Sequence, residues 1–311
     1  MAFREKMSNA HPLLKGVLWL GIMALLFVAS MVGYVLYVQL TGLQSVMALK
    51  MAQLVQSLLV FVVPALLAVW CWSRRPAEWL RLRAVGNGWV YAIVVVLMIV
   101  AQPGINMLAT WNEGFRFPAF MSETEQYFQD MDASARELTE MLAAAPNIGA
   151  LLLNLVVLAA VPAIGEELSF RGVLLGLIDG DTTLGARISP TRRTHIAVWV
   201  VGIIFSLIHF QFYGFIPRML LGVVLGYLLV WTGSLWVPMV AHFTNNALVV
   251  LLYFAEEHFA INSESLESFG TGATAWAGWL SILLSLLLLW LVRNAVQKRS
   301  SAPHPANPAG V

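Results

Sequence analysis

The 311-residue chain is 59% hydrophobic and 11% charged, with a net charge of +1 at neutral pH. An ordinary soluble domain has roughly 25% charged residues, so a water-soluble fold cannot account for this much apolar surface and lipid must be the solvent for much of it. No basic run of the kind that binds nucleic acid is present, and the single cysteine, Cys71, excludes an intrachain disulfide and a multi-cysteine metal site.

Taken in chain order, Arg4, Lys6 and Lys15 flank an apolar stretch running to about Leu40. It exceeds the roughly 7–15 apolar residues of a secretory leader and reads as an uncleaved first membrane helix at 16–40. Further apolar runs at 51–73, 87–110, 148–178, 195–213, 214–232, 235–255 and 275–293 match the roughly 17–25 residues that a span requires. The expected fold is therefore all-α, a polytopic bundle of about eight transmembrane helices. Pro162 and Gly165 predict a kink or break in the 148–178 run. Trp72, Trp79, Trp111, Trp231, Trp236, Trp276 and Trp279 fall near proposed span ends, as an interfacial belt requires.

The connections give an orientation. Arg74, Arg75, Arg81 and Arg83 lie in one loop, Arg187, Arg192 and Arg193 in another, and Arg293, Lys298 and Arg299 in the tail. The alternate loops, 111–147 and 256–274, are acidic instead. With eight helices all the basic segments fall on the side of the N-terminus, which predicts that both ends are cytoplasmic. Within 111–147, the stretch Glu123–Leu142 has helical periodicity and carries Glu125, Asp130, Asp132, Glu137 and Glu140; it reads as a surface helix on the opposite side. Four regions result. They are an N-terminal three-helix region (1–147) with its extramembrane loop, a four-helix core (148–255), an acidic loop with the last span (256–300), and a disordered tail (301–311).

Ionisable side chains inside the apolar runs carry the functional signal, because a charge near the bilayer centre costs at least about 2.5–3.5 kcal/mol and usually faces the bundle interior. In Glu166-Glu167-Leu168-Ser169-Phe170-Arg171, Glu167 and Arg171 are four apart and can pair, while Glu166 is rotated about 100° and stays available for chemistry. Phe205-Ser206-Leu207-Ile208-His209 places a histidine near the end of the fifth helix. His242 and Asn246 project from one face of the seventh. Gly222 and Gly226 form a small-xxx-small packing pair on the sixth, and Arg218 at its start reads as snorkelling to an interface.

The ordered set Glu-Glu-x-x-x-Arg, Phe-x-x-x-His and His-x-x-x-Asn on successive helices, from about Leu151 to Phe254, resembles the CAAX-processing and bacteriocin-processing (CPBP) intramembrane endopeptidases, relatives of the type II CAAX prenyl endopeptidases. The resemblance implies that Glu166 is the catalytic glutamate, Glu167 its partner and Arg171 the motif arginine. It likewise makes His209 the second-motif histidine, and His242 and Asn246 the last pair. It implies a peptide or protein substrate, with prenylation or membrane embedding left open; the membrane is expected to be a bacterial inner membrane, since nothing in the sequence suggests an organelle address.

Peptide hydrolysis requires an activated water and an oxyanion donor. Glu166 is expected to act as general base, His209 to hold the water, His242 and Asn246 to donate to the oxyanion, and Arg171 to orient the glutamates. Members of the family are often labelled metalloproteases, and Glu166, His209 and His242 are the candidate ligands if zinc is used. His-Glu-x-x-His and Gly-x-Ser-x-Gly are absent, and Asp179 and Asp181 share one loop rather than facing helices. The alternatives are a non-catalytic membrane scaffold or immunity protein, and a proton-coupled transporter, for which the expected inverted repeats are not visible.

Overall fold

The structure is a computed structural model and describes residues 2–180, 188–259 and 261–300. Asp181, Arg187 and the tail from 301 lie outside the described residues. Those residues form helices and no strand. We label α1 (Ala2–Ser8), α2 (Pro12–Thr41), α3 (Val46–Trp72), α4 (Trp89–Glu113), α5 (Ser122–Ala143), α6 (Ile148–Asp179), α7 (Pro190–Leu207), α8 (Phe215–Thr232), α9 (Trp236–Phe259) and α10 (Ala275–Ser300).

Helix ends follow their capping residues. Ser45 Oγ accepts the Ala48 N–H, and Asn147 Oδ1 accepts the Ala150 N–H, each satisfying a donor left free in the first turn. Gly42 and Gly233 close α2 and α8 at φ +66° and +62°, the left-handed conformation in which glycine carries no β-carbon penalty.

Two prolines shape the long helices without breaking them. Before Pro64 the Val63 N–H reaches back five residues to Leu58 O, and before Pro162 the Val161 N–H reaches Val156 O. Where a kink or break is predicted in the fourth span, there is no break: π-helical turns at Leu155–Ala160 and Leu168–Leu174 lie within one continuous helix. Such turns are frequent at functional sites because they re-aim side chains and release carbonyls. The Phe61 carbonyl, in the π-turn of α3, accepts a hydrogen bond from Ser169 Oγ of α6 (2.8 Å).

Among the described residues seven helices, α2, α3, α4, α6, α8, α9 and α10, are long and apolar enough to cross a membrane. Leu25 of α2 and Leu283 of α10 are 68% and 64% exposed, which only a lipid environment accommodates. The fifth predicted span, α7, opens on Arg192 and Arg193 and ends at Leu207, several residues short of the predicted boundary. Trp72 also departs from the predicted belt: it is buried, edge-on to Trp79, with Lys15 near both rings.

One core of buried side chains joins Trp19, Val69 and Leu80 to Leu168, Val173, Val201 and Leu235. Around it, α7 and α8 approach most closely at glycine. A β-carbon on Gly222 would lie 3.0 Å from the Gly202 α-carbon, and one on Gly226 would lie 3.0 Å from Val198 Cγ1. The small-residue pair of α8 therefore packs as expected, against a third glycine on α7. Gly202→Val is expected to lower the thermal unfolding midpoint by several degrees, since overpacking costs about 1–3 kcal/mol. Gly33→Val, where a β-carbon meets nothing within 4 Å, is the matched control; equal midpoints would mean that the close approach is not structurally required.

The extramembrane segment is a helix, as its periodicity predicts. The turn between α5 and α6 is tied to three spans. Lys50 Nζ donates to Ala144 O (3.1 Å), Asn154 Nδ2 donates to Ala143 O (2.7 Å), and the Ala145 N–H donates to Glu257 Oε2 (3.0 Å). Asp132, counted from sequence with the acidic face, instead turns toward the bundle and accepts the Tyr213 N–H.

Candidate active site

The site is assembled by α6, the α7–α8 connection, α8 and α9. Glu167 and Arg171 lie one turn apart on α6, and both side chains are 0% exposed. Arg171 Nη1 donates to Glu167 Oε1 (2.8 Å), Nη2 donates to the Gly222 carbonyl of α8 (2.9 Å), and Cζ sits 4.5 Å from the Phe205 ring centroid. One guanidinium therefore ties three helices together. A buried charge is tolerated only when paired and hydrogen-bonded in this way.

Glu167 has a second partner that the sequence does not reveal. His242 Nδ1 lies 2.9 Å from Glu167 Oε1. Because the carboxylate can only accept, the Nδ1–H donates and the other ring nitrogen is left facing the site. That nitrogen, Nε2, is 3.8 Å from Glu166 Oε2, too far for a direct hydrogen bond. Glu166 Oε2 makes no hydrogen bond among the described residues, whereas its neighbour is engaged twice, by Arg171 and His242, through Oε1. The two adjacent carboxylates thus hold different environments, one locked and one free.

His209 is not on a helix. It sits in the turn beyond Leu207, with Nδ1 2.7 Å from Phe205 O, so the Nδ1–H donates there and Nε2 is the free acceptor. It meets the others through Phe205, whose ring stands edge-on to both His209 (centroids 5.1 Å apart) and His242 (5.7 Å). Asn246 lies one turn beyond His242, and its Oδ1 accepts from Asn245 Nδ2 (3.4 Å). Gln102 of α4 reaches Asn245 Oδ1 at 3.5 Å. The hydrogen bonds of Glu167, Arg171 and His242 do not extend to Asn246 among the described residues.

Two side chains gain roles that sequence reading did not give them. Phe205 belongs to a recognised motif, but only packing shows it as the shared platform of Arg171, His209 and His242. Arg218 does not snorkel: it is half-buried, bonds Gln211 Oε1, and lies within electrostatic range of Asp132, Glu166 and His209. Its lone positive charge in an apolar helix was the available signal. Asp179, by contrast, is engaged by Thr194 Oγ1 (2.6 Å), with Arg81 and Arg193 within 4.0 Å, and stands at the end of α6 as a structural anchor. No group of three or more His, Cys, Asp or Glu side chains among the described residues is disposed to hold a metal ion. Glu166, His209 and His242 are not disposed as such a group.

An all-helical membrane bundle with a buried Glu/Arg/His cluster between its central helices is the class of protein that this geometry defines. Residues 148–248 match the family described as type II CAAX prenyl endopeptidase Rce1-like. That segment, less than half of the chain, is similar to the CAAX/CPBP family, and with seven helices of spanning length among the described residues the chain is an integral membrane protein. It is also similar to the uncharacterized protein YpbD of Bacillus subtilis (strain 168), 32% identical over 99 residues, which are 30% of this chain and 43% of that relative. The chain thus spans less than half of the length of the curated relative it matches. No solved structure matches.

Proposed function

We propose that the chain is an intramembrane endopeptidase, resident in a bacterial inner membrane, that hydrolyses peptide bonds with a water activated by side chains. The observation that carries this reading is the opposition of Glu166 Oε2 and His242 Nε2 at 3.8 Å, with Glu167 and Arg171 locking the far side of the histidine. A water at about 2.8 Å from each of two such atoms can hydrogen-bond both. Glu166 then removes its proton as the oxygen adds to the scissile carbonyl carbon. The C–N bond breaks as Glu166 returns that proton to the departing amine.

The hydrogen-bond pattern also refines the two histidines. With Nδ1–H committed to the Phe205 carbonyl, His209 in its neutral form offers only an acceptor, which suits a water-holding role. His242 can donate from Nε2 to an oxyanion only as the doubly protonated ring, since its Nδ1–H is committed to Glu167. Asn246 is the simpler oxyanion donor: with Oδ1 occupied by Asn245, its amide N–H groups remain available. The substrate is a peptide or protein reaching the site from the membrane or its surface, with or without a prenyl group.

The test is cleavage of a fluorogenic peptide library, farnesylated and unmodified, by the purified chain in detergent. His242→Gln is expected to lower kcat about 100-fold or more, and a zinc chelator is expected to leave wild-type kcat unchanged. Chelator-sensitive cleavage would overturn the metal-free mechanism. A wild-type chain that cleaves nothing would overturn the hydrolase reading and favour a scaffold role.

A further inference from the structure

The turn that carries His209 is held in part by residues outside the segment that matches the family. After α7 the backbone passes through Phe210 at φ +53°, a left-handed conformation that is strained for a residue with a β-carbon and persists only when its surroundings enforce it. The enforcing contacts are specific. Ser206 Oγ donates to Phe215 O (2.7 Å). Asn112, 2% exposed at the end of α4, donates from Nδ2 to Phe212 O (3.1 Å) and accepts the Ile216 N–H on Oδ1 (2.7 Å). From α5, Asp132 Oδ2 accepts the Tyr213 N–H (3.2 Å), and the Phe128 ring stacks on Phe212 (5.4 Å).

We propose that Asp132 is a positioning residue of the site: from the extramembrane helix its carboxylate fixes the α7–α8 turn that places His209 and balances the charge of Arg218 beside Glu166. The inference rests on the hydrolase reading and extends it to a region that the family match does not cover. Helix α5 is suited to the task because its C-terminal turn is pinned by Lys50, Asn154 and Glu257, so Asp132 acts from a fixed support. The charged groups facing Asp132 are Arg136 on its own helix, Glu113 at the end of α4, and Arg218 on α8; Arg136 is itself bonded to Glu113.

Burial, the largest influence, raises the Asp132 pKa above the ordinary carboxylate range, against the opposing pull of the Tyr213 N–H, Arg136 and Arg218. As pH falls through that raised value the carboxylate takes a proton and its electrostatic influence on Arg218 is lost. A raised carboxylate pKa means that the folded state binds this proton more readily than the unfolded chain, so the protonation does not itself destabilise the fold. An acid loss of activity from Asp132 is therefore separable from unfolding.

The experiment compares full-length wild type, Asp132→Asn and Asp132→Ala in detergent. It measures hydrogen exchange of segment 208–216, and kcat and KM against pH on a peptide that the wild type cleaves. Asp132→Ala is expected to speed exchange in that segment about fivefold or more, as for a lost charged hydrogen bond, and to lower kcat on the order of 10–100-fold with KM little changed. Asp132→Asn keeps an acceptor for Tyr213 and so keeps the protection, but it should lose the Asp132 part of the acid limb, leaving only the single-proton limb of the Glu166 base. Unchanged exchange in Asp132→Ala, faster exchange with undiminished kcat, or an unaltered acid limb in Asp132→Asn would each overturn the proposal. If the wild type cleaves no peptide, the hydrolase reading fails by itself, and the exchange data still decide whether Asp132 holds the turn.

Discussion

Glu166→Gln is expected to lower kcat by about 1,000-fold or more while leaving the helix bundle folded. The glutamine keeps the shape of the side chain but cannot take a proton, and a positioned general base contributes roughly 10²–10⁴. Stability should hold because Glu166 Oε2 makes no hydrogen bond among the described residues and stands 3.8 Å from His242. Removing an unsatisfied charge from a buried place relieves a desolvation cost rather than breaking a contact. The check is single-turnover cleavage beside a thermal unfolding curve in the same detergent. A glutamine variant with kcat within about twofold of wild type would remove Glu166 from the role of base, and a large fall in the unfolding midpoint would mean that the residue is structural.

Arg171→Ala should produce the largest loss of stability of any single change in the site. Its guanidinium pairs with Glu167, holds the Gly222 carbonyl and covers the Phe205 ring. Truncation strands Glu167, at 0% exposure, as an uncompensated charge, and breaking such a pair costs about 3–5 kcal/mol. The pair need not be more stabilising than a neutral core of equal volume, however. Glu167→Gln combined with Arg171→Met should therefore recover most of the unfolding midpoint lost in Arg171→Ala. It should not recover cleavage, because His242 Nδ1 loses the carboxylate that orients it. An Arg171→Ala chain that melts within a degree or two of wild type would show that this guanidinium does not join the three helices energetically.

Much of this organisation is legible in the chain. The apolar runs mark the membrane helices because spanning a bilayer requires about 20 apolar residues whatever the fold. Glu167 and Arg171 could be paired in advance, since four residues on a helix bring side chains to one face. The helical period of 123–142 gave α5. The register around Pro162 was less legible: whether a proline kinks a helix or is absorbed by a π-turn depends on what the neighbouring helix offers the displaced carbonyls, and here α3 carries the same device before Pro64. The end of α7 was misjudged because Ile208, Phe210 and Phe212 continue the apolar run. That run bends back on itself, with Asn112 of α4 bonding its Phe212 carbonyl.

The sequence by itself determined that the chain is a helical membrane protein with carboxylates, an arginine and histidines on successive central helices, because hydropathy and helical spacing are local properties. Only the tertiary structure decided which groups meet. It brought His242 to Glu167, left Glu166 without a hydrogen bond opposite His242, set Phe205 beneath Arg171 and His242, and brought Asn112 and Asp132 to the turn of His209. These contacts join residues tens to over a hundred positions apart. Their partners are chosen by how the helices pack and by the requirement that each buried polar group find a hydrogen bond, and neither is encoded in the spacing along any one helix.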